Sequence, residues 1–277
     1  MNQDPQHNFA YFGTPTVARE TLELLLARGF APALVVTGPD APKGRGLALT
    51  PSPVKTLAEE RGLPVVTPAA LDDAAIEAIR ARGCDYAVVV AYGKIFPETL
   101  IAAFPKGVVN VHYSLLPRHR GATPVEAALL AGDAVTGVTI QKMVKELDAG
   151  DVLAQEETPI DADETARELR PRLITLGAEL LADTLPALER GELRPVPQDA
   201  SRATHSGKLK KQDGELSLDG SADENWRKYR AFADTIGTYF FENGARMKIT
   251  KASFKGSRFV VERVIPEGKR ETAYAGS

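Results

Sequence analysis

At 277 residues the chain is longer than one average domain, enough for a single large α/β unit or for a large domain carrying a small one. Hydrophobic residues make up 43% and charged residues 26%, a balance that allows a sizeable buried core and excludes disorder as the main theme. A net charge of −3 excludes coating of nucleic acid by bulk electrostatics, so any basic patch must be local.

The opening MNQDPQHNFAYFGTP has neither the basic start nor the apolar run of a secretory signal. No segment approaches the ~20 apolar residues of a membrane span, so the expectation is a cytoplasmic protein with no membrane partner. Asn8 to Phe12 is a short apolar run that stops at Gly13-Thr14-Pro15, after which ARETLELLLARG has helical periodicity. The alternation continues through ALVVTG, PSPVKTLAEERG, LPVVTP, a helix in AAIEAIRARG and the apolar strand DYAVVVAYG. Cys84 precedes that last strand and is the only cysteine, which leaves no internal disulfide or cysteine-based metal cluster and reads as a small buried hydrophobe. Strands follow in GVVNVHYS and GVTIQKM, DVLAQEETPI is extended, and Asp163 to Arg190 is a long helix capped near Asp163 or Thr165.

Apolar strands separated by amphipathic helices predict an α/β fold: a Rossmann-like, mostly parallel sheet with helices on both faces. This domain is expected to occupy residues 1–191. Residues 192–211 are polar, proline-containing and finally basic, which reads as a linker. Residues 212–277 carry one helix, ADENWRKYRAF, and short β runs, GTYFFENG, ARMKITKASF and RFVVERVIP. Asn243-Gly244 suits a hairpin turn with positive φ at both positions. The expectation is a small α+β domain, a partial OB-like barrel.

The chemistry concentrates in GVVNVHYSLLPRHRG, Gly107 to Gly121. On a strand, Asn110 and His112 share a face near the carboxyl end, where open parallel sheets bind ligands. Two polar side chains on an apolar strand are costly to bury unpartnered, so they line a cleft or belong to a satisfied core. Asp148, in KELDAGD, is either a turn residue or a carboxylate beside His112, able to favour its protonation and to accept a proton from an amine.

Asn110-x-His112, Ser114-Leu115-Leu116-Pro117, Arg118, Arg120, Gly121 and Leu147-Asp148-x-Gly150-Asp151 together resemble the folate-dependent formyltransferases. Among these the resemblance is nearest to the methionyl-tRNA formyltransferases. FGTP, GRGLALTPSPVK, VVVAYGKIFP and AGDAVTGVTI extend it over most of residues 8–160 in the same order.

The resemblance implies 10-formyltetrahydrofolate as donor, the amine of initiator methionyl-tRNA as acceptor, and Asn110, His112 and Asp148 as the catalytic group. Asn110 and protonated His112 would donate to the formyl oxygen as negative charge builds there, while Asp148 holds His112 charged and helps move the amine proton. No metal, covalent enzyme intermediate or obligate protein partner is implied. Ser114, Leu115, Leu116 and Pro117 carry over as folate contacts. So do Val90, Ala91, Tyr92 and Gly93, which otherwise read as a buried strand end. The interruption Thr37 to Lys55 matches the loop that reaches the tRNA acceptor end, with Lys43 and Arg45 as phosphate-binding cations. Lys208, Lys210 and Lys211 are either a second RNA track or a solvated linker.

The carboxyl-terminal region departs from the family pattern, being compressed and carrying Ala233-Asp234-Thr235-Ile236 where a Trp-Pro pair is common. Tyr113 stands where a smaller residue is common, a change expected to reshape the pocket. A nucleotide-sugar N-formyltransferase would share donor and catalytic set, whereas a catalytically silent tRNA- or folate-binding protein would lack a member of that set. FGTPTVA has no GxGxxG turn, which sets aside a dinucleotide oxidoreductase.

Overall fold

The computed structural model describes residues 7–44 and 47–275. In chain order its elements begin β1 (Phe9–Gly13), α1 (Thr16–Ala27), β2 (Leu34–Val36), β3 (Ala41–Lys43), β4 (Ala48–Thr50), α2 (Pro53–Glu60), β5 (Val65–Val66) and α3 (Asp73–Arg80). There follow β6 (Tyr86–Val90), α4 (Glu98–Ile101), β7 (Val108–His112), β8 (Arg120–Gly121), α5 (Pro124–Ala131), β9 (Val135–Lys142), β10 (Val152–Pro159) and α6 (Ala166–Glu189). The last are β11 (His205–Ser206), α7 (Ala222–Phe232), β12 (Thr238–Glu242), β13 (Ala245–Lys255), β14 (Arg258–Pro266) and β15 (Thr272–Ala273). Two compact units result, one of Met1–Pro117, Val138–Glu156 and Leu173–Ala203, the other of Arg118–Gly137, Glu157–Arg172 and Thr204–Ser277.

In the first unit a seven-stranded sheet runs β10-β9-β7-β6-β1-β2-β5. Strands β1, β2, β5, β6 and β7 pair in parallel, and β9 runs antiparallel to β7. Strand composition reports burial on both faces but not direction, so the parallel expectation holds for the five and turns over at β9. Both faces are covered. Ala10, Phe12, Val36, Val89 and Val108 pack with Ile76 and Ile79 of α3 and Leu100 of α4. On the opposite face Tyr11 Oη donates to the Ala18 carbonyl of α1 at 2.6 Å, and Tyr86 Oη donates to Glu189 of α6 at 2.7 Å.

Local signals set the helix starts. Ser52 Oγ accepts from the Lys55 amide at 3.0 Å ahead of Pro53, and Asp72 accepts from the Ala75 amide at 2.9 Å. At the start of α6, Glu168 accepts from the Thr165 amide at 2.9 Å and hydroxyl at 2.8 Å, which makes Thr165 the cap. The turn from β1 to α1 requires Gly13, because a Cβ there would lie 2.6 Å from Ala18 Cβ.

The second unit is built on the antiparallel sheet β12-β13-β14-β15 and α7. Asn243 (φ 50) and Gly244 (φ 76) form the tight turn between β12 and β13, as their left-handed tolerance predicts. Ser221 caps α7 through the Glu224 amide at 3.3 Å. Trp226 stacks on Tyr229 and Phe254, and its indole donates to the Ala162 carbonyl at 3.3 Å. Buried Arg230 donates to the carbonyls of Asp161 and Glu164 at 3.1 and 3.3 Å. These anchors give the segment before α6 to the same compact unit as α7. Asp234, in the stretch that stands for Trp-Pro, pairs with Arg170 at 3.4 Å.

Candidate functional site

The sheet reverses its strand order at β1, with β2 and β5 on one side and β6 and β7 on the other. In open α/β sheets the crevice beyond the carboxyl ends at such a point is where ligands bind. The β6 end, Val90-Ala91-Tyr92-Gly93, and the β7 end at His112 meet there, because Val89 is the partner of Asn110.

Alternation places Val108, Asn110 and His112 on one face of β7. In the antiparallel pairing Asn110 stands opposite Gln141, and His112 opposite Thr139. Four polar residues therefore occupy one face at the end of two apolar strands. Three of them, His112, Thr139 and Gln141, are at most 5% exposed. Asn110 is half-buried, and its amide has no hydrogen-bond partner among the described residues. A half-buried amide on a ligand-binding crevice suits donation to a bound carbonyl.

Asp148 completes the group from the loop after β9, with its Oδ2 3.6 Å from His112 Nδ1. Its Oδ1 accepts from Gln141 Nε2 at 2.9 Å. The loop is held tightly. Asp148 has φ 50, a left-handed conformation uncommon outside glycine that aspartate tolerates better than most residues. Gly150 approaches so closely that a Cβ would lie 1.8 Å from the Lys142 carbonyl oxygen. The structure thus brings together His112 and Asp148 and sets Asn110 on the same face.

Ser114 to Pro117 leave the end of β7 in a fixed path. Thr139 Oγ1 donates to the Ser114 carbonyl at 2.7 Å and accepts from the Leu116 amide at 3.1 Å, and Gln155 Nε2 donates to the Leu116 carbonyl at 3.1 Å. At the β6 end, Ala91 (φ 45) and Gly93 (φ 80) are exposed left-handed turns around buried Tyr92. The Tyr92 hydroxyl is buried with no hydrogen-bond partner among the described residues, and burial pushes its pKa up to about 12. Lys94, 5.8 Å above that ring, donates to the carbonyls of Pro68 and Ala69, and burial lowers its pKa.

Tyr113 makes its contacts away from His112 and Asp148. It is the bend residue that follows β7, with its hydroxyl 3.1 Å from Thr21 Oγ1 and its ring against Gly177. Thr139, Gln141 and Gln198 are the polar residues about the site that sequence reasoning missed. For the first two, the same x-polar-x-polar alternation that exposed Asn110 and His112 was present in GVTIQKM.

The stretch Thr37 to Lys55 contains the antiparallel pair β3 and β4 rather than an irregular loop. Lys43 is exposed on it, beside Leu47 and Leu49 at 70% and 72% exposure. Arg45 lies outside the described residues. Lys208, Lys210 and Lys211 are exposed in the second unit, where Lys208 lines a cleft with Arg118, His119 and His205.

The chain matches the formyl transferase family over residues 7–185 and the C-terminal domain of formyl transferases over residues 208–270. A methionyl-tRNA formyltransferase of Thermus thermophilus is 43% identical over 94% of this chain and 85% of its own length. Another, from Heliobacterium modesticaldum, is 40% identical over 88% of this chain and 78% of its own length. Among solved structures, an N-formyltransferase of Helicobacter canadensis in complex with folinic acid and dTDP-3-aminofucose superposes with a TM-score of 0.72. It covers 96% of this chain and 98% of its own at 17% identity, which speaks to fold alone. Matched over residues 7–185 and again over 208–270, the chain belongs to the formyl transferase family.

Proposed function

We propose that this protein transfers the formyl group of 10-formyltetrahydrofolate to the free amine of initiator methionyl-tRNA. The observation that carries the reading is the single polar face of Asn110 and His112 with Asp148 at 3.6 Å, at the crevice end of the sheet. The identity to methionyl-tRNA formyltransferases at 40% and 43% supports this acceptor.

In this reading Asn110 and the imidazolium of His112 donate to the formyl oxygen, where negative charge develops as the amine attacks. Donors already fixed in a water-poor site stabilise that charge without reorganising. Asp148 is electrostatically paired with the imidazolium and takes part in moving the proton from the attacking amine to the departing nitrogen. Val90, Ala91, Tyr92 and Gly93, with Ser114, Leu115, Leu116 and Pro117, border the donor. Lys43 and Arg45 bind acceptor phosphates, and Lys208, Lys210 and Lys211 are further phosphate-binding cations. The catalytic domain spans residues 1–191, the carboxyl-terminal domain 212–277, and the work is done in the cytoplasm, where initiator tRNA is charged.

A transfer assay tests this directly: 10-formyltetrahydrofolate, charged initiator tRNA, and a panel of amino-sugar nucleotides as rival acceptors. Formylation of the tRNA is the expected result. Formylation of a sugar nucleotide alone overturns the acceptor, and transfer to no amine overturns the reaction.

A further inference from the structure

The segment read from sequence as a linker, residues 192–211, is attached to the Asp148 loop. Val196 and Val152 exchange backbone hydrogen bonds at 2.8 and 2.9 Å. Two residues on, Gln198 Nε2 donates to the Asp148 carbonyl at 2.9 Å and to the Gly150 carbonyl at 2.7 Å. The same nitrogen is 3.4 Å from Gln141 Oε1, and Gln141 Nε2 donates to Asp148 Oδ1 at 2.9 Å. The polarity of this chain is dictated by its ends. Backbone carbonyls and a carboxylate only accept, so each amide must present its nitrogen to them.

Asp148 is thus fixed twice, its backbone by Gln198 and its carboxylate by Gln141. The backbone contacts hold Asp148 at a φ of 50, which is free to relax once Gln198 releases the Asp148 and Gly150 carbonyls. Gln141 is 1% exposed, so its bond to the carboxylate is made without competition from water. We infer that Gln198 and Gln141 are positioning residues for the transfer reaction, holding Asp148 in the one placement that faces His112. The inference rests on the proposed formyl transfer and assigns a role in it to a residue of the first compact unit that lies beyond α6.

The test compares Gln198→Ala and Gln141→Met with the parent enzyme in steady-state formylation across pH, and again in an Asp148→Ala background. Methionine keeps the volume of Gln141 and removes its donor, which guards against a collapsed core. Each variant is expected to lose between about 10- and 100-fold in kcat, the range for a sub-ångström misplacement of a catalytic group. KM for donor and tRNA should stay within about twofold, because binding energy is left in place. The pH–rate profile should move with kcat, since the group being displaced is one that handles protons. In the Asp148→Ala background the same substitutions should cost nothing further, as expected of residues acting through one carboxylate. Parent-like kcat in both variants, or an undiminished loss when Asp148 is absent, overturns the inference. A parent enzyme that formylates no amine overturns instead the reading on which it rests.

Discussion

His112 and Asn110 share a face of β7 because they are two apart, and each has a cross-strand polar neighbour, Thr139 and Gln141. Thr139 is bonded to the Ser114–Leu116 backbone and Gln141 to Asp148, and in the proposed transfer it is Asn110 and His112 that donate to the formyl oxygen. His112→Ala is expected to lower turnover at least ~100-fold, since one such donor is worth ~2.7–4 kcal/mol in the transition state. Near-normal turnover in that variant would remove the assignment. Tyr113, one residue along, supplies the contrast. Tyr113→Phe deletes a hydroxyl that faces Thr21 Oγ1 on the opposite side of the sheet, so it should cost ~0.5–1.5 kcal/mol of stability and leave kcat unchanged. A large fall in kcat with unaltered melting would instead put Tyr113 in the site. Asn110-x-His112 was legible because polar residues interrupt an apolar strand. Thr139 and Gln141 carry the same signal in GVTIQKM, where no family motif singles them out. Gln198 carried no local signal at all, since its partners lie about fifty residues away.

At the level of elements, the chain announces its own starts and stops where a backbone requirement falls on one residue. Ser52, Asp72 and Ser221 cap helices, and Asn243-Gly244 turns a hairpin, each through chemistry that the residue type alone supplies. The direction of β9 and the pairing of β3 with β4 are set by distant partners, and composition does not encode them. The loop after β9 shows how such a requirement becomes functional. Gly150→Ala places a methyl group 1.8 Å from the Lys142 carbonyl oxygen, so the loop must move and carry Asp148 away from His112. Strain of ~1–3 kcal/mol is expected, with kcat down ~10-fold or more and the sheet otherwise intact. Unchanged kcat in a folded Gly150→Ala protein would show that the loop tolerates the shift. The β13–β14 pair offers a pH test. Glu262 is hydrogen-bonded to Lys251 at 2.8 Å and faces Lys255, which lowers its pKa from 4.5 to about 2. A depressed carboxylate stabilises the fold above its unfolded value and loses that contribution as pH falls through the folded value. Glu262→Gln should therefore flatten the decline of Tm between pH 4.5 and about 2, and parallel declines in variant and parent would exclude the pair as a source of acid sensitivity.

For the whole molecule the governing fact is a net charge of −3 on a protein proposed to hold a polyanion. Its mean field repels tRNA, so binding must come from exposed cations that each displace counterions at a phosphate. The cations proposed for this role, Lys43 on the β3–β4 pair and Lys208, Lys210 and Lys211 in the second unit, are all exposed. Leu47 and Leu49 beside Lys43 add apolar surface that a folate needs no help from and that an unstacked acceptor end can cover. The salt dependence of KM for tRNA tells these contacts apart from general damage. Each phosphate contact contributes ~0.7 to 0.9 to the slope of log affinity against log salt. Lys43→Ala should lower that slope by about one, and the triple change of Lys208, Lys210 and Lys211 to Ala by up to about three, with KM for the folate donor unaltered in both. A weaker KM for tRNA with an unchanged slope would mean that the lysine touches no phosphate. An equal rise in KM for donor and tRNA would mean that the substitution had disturbed the fold rather than an RNA surface.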